Sequence, residues 1–174
     1  MSDLQAFLAD ERFTTLDRSL ARHLAAQASS SRWIGHAAAL LSSVLRRGHL
    51  CLDLSQRPSD HFEAAAALQP WPSLTSWRDD LLASGLVAQQ PGEFKPLVLD
   101  VTGRLYLHRY YEYERDLAAR IVERLGSDAA AVGPVTSADS ATQTDIAIDA
   151  VRSRRFMVIA GGPGTGKTTT VVRI

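Results

Sequence analysis

Hydrophobic residues recur every three or four positions through the first half of the chain, which predicts amphipathic helices. TTLDRSLARHLAAQAS places Leu16, Leu20 and Leu24 on one stripe, with Thr14 or Thr15 as its N-cap. SRWIGHAAALLSSVLRRG predicts a second helix, and SDHFEAAAALQ and SLTSWRDDLLASG predict two more. The first part of the chain is therefore expected to be mostly helical.

Short apolar runs separated by turn residues predict strands. HLCLDL alternates apolar and polar positions, and LVAQQ, PLVLD and RLYLHR have the same character. Gly103 supplies the turn between the last two. The next segment, YEYERDLAARIVERLG, predicts an amphipathic helix that ends at Gly126, and its apolar face holds Tyr110, Tyr113, Leu117, Ile121 and Leu125.

The pattern then breaks in SDAAAVGPVTSADSAT, whose small and polar residues predict a linker. We therefore expect a first domain over residues 1–126, a linker over 127–140 and the start of a second domain over 141–174. In that second domain TQTDIAIDAVRSR predicts a helix, RFMVIA a buried strand and KTTTVVRI the beginning of another helix.

The segment GGPGTGKT, between that strand and that helix, matches the phosphate-binding loop pattern. Its glycines let backbone N–H groups face phosphate oxygens, Lys167 supplies a positive charge, and the hydroxyl of Thr168 suits Mg²⁺. The alternative is a glycine-rich turn with a chance lysine. The expected nucleotide-binding residues are Gly161, Gly162, Pro163, Gly164, Thr165, Gly166, Lys167, Thr168 and Thr169.

Composition narrows the remaining possibilities. Net charge is zero, so no strongly basic character points to nucleic acid. The single cysteine excludes an internal disulfide and a thiolate zinc cluster, and the histidines lack metal-ligand spacing. The N-terminus has no signal-peptide apolar core, and no apolar run reaches membrane-spanning length. We expect a soluble cytoplasmic protein.

Four blocks occur in a characteristic order: GHLCLDLS, W…LLASGLV, PLVLDVTGRLYLHRYYEYERDLA and GGPGTGKTTTV. Together they resemble the N-terminal part of RecD, the alpha subunit of exodeoxyribonuclease V. The resemblance runs from about Leu40 to Ile174, and LYLHRYYEYER is its more specific part.

The resemblance implies an α+β fold: a mostly helical N-terminal domain with short β hairpins that docks on RecC, followed by the truncated start of a RecA-like P-loop motor. It implies an ATP-driven 5′ to 3′ DNA helicase that works with the RecB and RecC subunits on DNA ends during break repair. ATP and Mg²⁺ would be its cofactors, with Lys167 and Thr168 as catalytic residues and Thr168 as the Mg²⁺ ligand. Gln143 resembles the helicase glutamine that reads adenine, and a solvated helix glutamine is the alternative.

The tyrosines Tyr106, Tyr110, Tyr111 and Tyr113 alternate with arginines. Core packing is the first interpretation, and contact with a partner subunit through an exposed face carrying Tyr110, Tyr111 or Trp77 is the second. DNA stacking ranks third, because acidic residues offset the arginines.

Two alternatives to a RecD-type subunit stay open at this point: a stand-alone RecD-like helicase or other P-loop ATPase, and a non-catalytic adaptor that binds RecC. We expect the chain to be the front of a longer protein. By itself it is then expected neither to hydrolyse ATP nor to bind it tightly.

Overall fold

The computed structural model describes residues 3–56, 71–90, 92–126, 143–153 and 156–173. The helices are α1 (Asp3–Leu8), α2 (Thr15–Gln27), α3 (Ile34–Arg46), α4 (Leu74–Ala83), α5 (His108–Leu125), α6 (Gln143–Ser153) and α7 (Lys167–Arg173). The strands are β1 (Leu52–Asp53), β2 (Val87–Ala88), β3 (Leu97–Leu99) and β4 (Arg104–Leu107). The chain divides into a first unit, Met1–Glu114, and a second unit, Arg115–Ile174.

Helices α2 and α3 form the centre of the first unit. Thr14 caps α2 as the sequence predicts: its side chain accepts a hydrogen bond from the backbone N–H of Asp17, whose carboxylate accepts one from the backbone N–H of Thr14 at 2.8 Å. In α3 every residue from Ile34 to Val44 is buried. A Cβ at Gly35 would lie 2.6 Å from Leu4 Cδ2, so this glycine permits the close contact of α1 with α3.

The stripe predicted for α2 is displaced from the one observed. Leu16 is exposed and Leu20 is only partly buried, while Asp17, Ala21 and Leu24 are buried. The displacement has a physical cause: Asp17 bonds to Ser42 and Arg46 of α3, which turns that side of α2 inward.

A small mixed sheet completes the first unit, in the order β1-β4-β3-β2. β1 and β3 run antiparallel to β4, and β2 runs parallel to β3. The predicted strands are confirmed but are short, and Leu50 lies exposed outside β1. Gly103 makes the predicted β3–β4 turn with φ +88°.

Helix α5 is formed as predicted, but none of its residues is buried. Its apolar face lies outside the core, although the ring of half-buried Tyr111 packs against the ring of Tyr106, with 5.5 Å between centroids. Tyr106, on β4, is the exception among the four tyrosines, because its side chain is buried.

The second unit differs from the prediction in one element. Residues 156–160 form no strand, and Val158 is 72% exposed. A strand requires hydrogen bonds to a neighbouring strand, and the described residues of this unit contain none. The start of a RecA-like motor thus stays a prediction.

Two sequence predictions lie outside the described residues, namely the helix in SDHFEAAAALQ and the linker. The domain bounds at residues 126 and 141 also stay a prediction. Among the residues that the structure describes, no helix combines the length and the apolar character needed to cross a membrane.

Candidate nucleotide-binding site

The loop from Gly161 to Gly166 owes its shape to glycine at three positions. Gly164 and Gly166 have φ of +76° and +75°, a conformation that residues with a Cβ rarely adopt. Gly161 is required for space instead, because a Cβ there would lie 2.6 Å from Thr165 Oγ1. The loop backbone is therefore shaped by the glycines of the predicted motif.

The side chain of Lys167 folds back on the loop and bonds to its backbone. Its Nζ donates to the carbonyl oxygens of Gly161 and Gly162, at 2.6 Å in each case. Thr165 Oγ1 also donates to the Gly162 carbonyl, at 2.8 Å. An ammonium group has three donors, so these two bonds leave capacity for one anionic oxygen.

Helix α7 starts at Lys167 and carries the remaining threonines of the motif. Thr168 and Thr169 are exposed, whereas Thr170 is buried and its Oγ1 donates to the Gly166 carbonyl at 3.1 Å. Thr170 was missed by the sequence analysis, and its i to i−4 spacing from Gly166 is the signal that could have found it. The loop residues fit a phosphate group with a hard cation: glycine backbone, one lysine and an exposed hydroxyl.

Gln143, the predicted adenine-reading residue, is the first residue of α6. This helix packs against α7, and Arg173 Nη2 of α7 lies 3.2 Å from Asp145 Oδ1 of α6. The structure thus brings α6 and α7 together, while the role of Gln143 stays a prediction.

Tyr106 and Cys51 of the first unit have raised pKa values. Burial raises the pKa of Tyr106 to about 12, although Arg104 opposes the shift by hydrogen bonding. Burial likewise raises the pKa of the Cys51 thiol, so the thiol stays protonated and is a poor nucleophile at neutral pH. These raised pKa values are typical of buried structural side chains and not of a reactive site.

The predicted partner-binding face needs a correction at Trp77. Its side chain is buried and belongs to the core, so it cannot anchor an outside protein. Tyr110 and Tyr113 of α5 are exposed, as are Leu117 and Val122 further along the helix. Of the predicted face, Tyr110 is exposed and Tyr111 beside it is half-buried, and both lie on α5.

No group of three or more His, Cys, Asp or Glu side chains is placed to hold a metal ion anywhere in the part of the chain that the structure describes.

Comparisons with known proteins point to one family. A family model described as RecBCD enzyme subunit RecD, N-terminal domain, matches residues 9–106. The chain is 36% identical over 143 residues to RecBCD enzyme subunit RecD of Mycolicibacterium smegmatis, which covers 79% of this chain and 24% of that protein. It is 32% identical over 168 residues to RecBCD enzyme subunit RecD of Mycobacterium tuberculosis, which covers 91% of this chain and 27% of that protein.

The chain spans about a quarter of the length of the curated relatives it matches. Since the family model covers more than half of the chain, the chain belongs to the RecD N-terminal domain family. The stand-alone helicase and the adaptor are not favoured by these matches.

Proposed function

We propose that this member of the RecD family acts within an ATP-driven 5′ to 3′ DNA helicase subunit of a RecBCD-type complex that processes DNA ends for recombinational repair. The observation that carries the proposal is the loop closed by Lys167 on the carbonyls of Gly161 and Gly162. That closure positions one ammonium group at the centre of a glycine-shaped turn, which is the arrangement that suits a phosphate group.

The roles of the loop residues follow from their chemistry. The backbone N–H groups of Gly161–Thr169 and the third donor of Lys167 would hold the phosphates of ATP, and the Thr168 hydroxyl would hold Mg²⁺. When bound, Mg²⁺ supplies positive charge that neutralises the phosphate oxygens. Gln143 would read the adenine edge, since an amide both donates and accepts hydrogen bonds.

The exposed apolar face of α5 supports a second role, docking on the RecC subunit with RecB as the third member of the complex. An isolated helix of this length is marginal in water, and α5 has 18 residues of which none is buried. Its exposed Tyr110 and Tyr113 are residues that commonly anchor protein interfaces.

Substitution of Lys167 tests the nucleotide site in the assembled complex. Lys167→Ala should reduce ATP binding and hydrolysis by the RecD-type subunit on the order of 100-fold or more, since it removes the charge that meets the phosphates. Lys95→Ala is the matched control, because Lys95 is the only other lysine and pairs with Glu93 and the Val87 carbonyl in the first unit. Undiminished ATP binding by the Lys167 variant would overturn the proposal.

Retention on immobilised RecC tests the docking face. Leu117→Ser should weaken retention about tenfold, because it places a hydroxyl in an apolar contact. Ala119→Ser, two residues further and on the other side of the helix, should retain normal binding. Equal binding by both variants would remove this part of α5 from the interface.

The chain taken alone is a separate case. We infer that it neither binds ATP tightly nor hydrolyses it, because residues 156–160, which lead into the loop, have no strand partner among the described residues of their unit. Isothermal titration with ATP and Mg²⁺ should give no micromolar binding. Micromolar binding together with phosphate release would contradict this inference.

A further inference from the structure

An ion pair outside the phosphate loop joins the two helices of the second unit. Arg173 Nη2 of α7 lies 3.2 Å from Asp145 Oδ1 of α6, and the same atoms form a hydrogen bond. The two residues are 28 positions apart in sequence, so the contact is a feature of the packing and not of a local turn.

The position of this ion pair within each helix is informative. Arg173 is the last residue of α7, the helix whose first residue is Lys167. Asp145 lies in the first turn of α6, two residues after Gln143. The ion pair therefore connects the helix that carries the phosphate-binding lysine with the end of the helix that carries the predicted base-reading glutamine.

Apolar and polar side chains both lie between or near these helices. Ala150 of α6 and Thr170 of α7 are buried, and Ile146, Ile148 and Val151 of α6 are half-buried. Hydrophobic contact by itself is non-directional. A directional bond between a guanidinium and a carboxylate adds a constraint on the register of the two helices.

The charge of Asp145 also suits its place in α6. An acidic residue in the first turn is favoured by the dipole of the helix. The ion pair thus aligns the start of α6 with Arg173 of α7.

We infer that Asp145 and Arg173 are positioning residues that hold α6, and with it Gln143, in register with the phosphate loop. Base recognition and phosphate binding are then coupled through this ion pair. The inference rests on the proposed function, because it requires that ATP binds at the loop.

The test measures binding to the RecD-type subunit inside the assembled complex. ATP that carries a benzophenone on its ribose labels the subunit on irradiation, and the labelled band is read on a denaturing gel. Unlabelled ATP and inorganic tripolyphosphate then compete for the site. ATP reports base and phosphate recognition together, whereas tripolyphosphate reports phosphate recognition alone.

Asp145→Asn and Arg173→Gln should each raise the ATP concentration needed for half-competition about two- to fivefold, the range that an exposed ion pair supports. The half-competing concentration of tripolyphosphate should stay unchanged. The double variant should be no worse than either single variant, because both remove the same interaction. Arg173→Lys keeps the charge and should stay close to the unsubstituted protein.

Asp116→Asn is the matched control, because it removes the exposed carboxylate of an ion pair whose two residues, Asp116 and Arg115, lie on the same helix. A parallel loss of ATP and tripolyphosphate competition in the Asp145 and Arg173 variants would overturn the inference, since it indicates general loosening of the site. Unchanged ATP competition in both would overturn it as well. Lys167→Ala should weaken both competitors, and if it weakens neither, the proposed nucleotide site itself fails.

Discussion

The carboxylates of Asp17 and Asp145 each pair with an arginine, but they lie in very different surroundings. In the first unit the Asp17 side chain is fully buried and pairs with Arg46 at 2.8 Å. In the second unit the Asp145 side chain is 49% exposed and its partner Arg173 is 52% exposed. The first pair lies inside a core of helices and sheet, whereas the second joins two helices outside that core.

The Asp17 pair shows what a buried charge requires. Burial by itself would raise the pKa of the Asp17 carboxyl, but hydrogen bonds from Arg46, Ser42 and Thr14 outweigh it, and the pKa is lowered. Such a site stabilises the fold only while all partners are present. The exposed pair, by contrast, should contribute little to stability. The fold of the first unit is thus determined by its buried core, whereas the loop of the second unit is determined by the glycines and the lysine of its motif.

Deletion of buried side-chain atoms should give the largest difference in stability between the two regions. Leu41→Ala should lower the free energy of unfolding by about 3 kcal/mol, because Leu41 is completely buried in α3. Leu117→Ala, on the exposed face of α5, should change it by less than about 0.5 kcal/mol. Urea unfolding followed by tryptophan fluorescence measures both, since all three tryptophans lie in the first unit.

A large loss of stability from Leu117→Ala would contradict this prediction. It would mean that α5 contributes to the stability of the first unit through its apolar face. The matched change, leucine to alanine in both helices, keeps the deleted atoms the same.

Removal of the buried charge of Asp17 should have the second-largest effect on stability. Asp17→Asn should cost about 2–3 kcal/mol, because it leaves Arg46 without its charged partner and weakens the hydrogen bonds that Thr14, Ser42 and Arg46 donate to the carboxylate. Asp3→Asn is the control, since the Asp3–Arg32 pair is exposed on both sides and should contribute at most about 1 kcal/mol.

The pH dependence of stability gives an independent readout of the same residue. Since the folded pKa of Asp17 is lowered, its contribution is complete above the unfolded value of about 3.9 and is lost as pH falls through the folded value. The Asp17→Asn variant should therefore lose less stability between about pH 4 and pH 2 than the unsubstituted chain. Identical acid unfolding of the two would show that Asp17 is not the group responsible.

Much of the first unit could be predicted from sequence, because helical periodicity and capping are local signals. Thr14 and Asp17 have the spacing of a capping box, and the helix begins there. The same local pattern could not show that Asp17 points into the core, since its partners Ser42 and Arg46 are 25 and 29 residues away.

In the second unit the loop could be predicted from sequence, whereas the structure around it could not. The loop residues could be predicted from the motif, because the glycines, the lysine and the threonine have a fixed spacing. The predicted strand before the loop is absent, since strand formation depends on neighbours that periodicity within one segment cannot supply. The Asp145–Arg173 contact could not be predicted either, because nothing local connects the two positions.

The smallest expected effect belongs to His36, a core residue of the first unit whose ring lies 4.9 Å from Phe7 and 5.0 Å from Trp33 between centroids. Burial lowers its pKa, against the opposing carboxylates of Asp3 and Asp80. The unfolded chain therefore binds a proton more readily at this position than the folded chain. The stability that neutral His36 contributes is complete above about pH 6.5 and declines as pH falls through the folded value.

Replacement of the imidazole by a ring that does not titrate isolates this contribution. The slope due to His36 is at most about 1.4 kcal/mol per pH unit, and His36→Phe should remove it below about pH 6.5. His23→Phe, on the exposed side of α2, should keep the slope because that residue is outside the core. Urea midpoints at several pH values measure the difference. An unchanged slope in His36→Phe would mean that the core accepts the imidazolium, and that proton uptake below pH 6.5 occurs elsewhere.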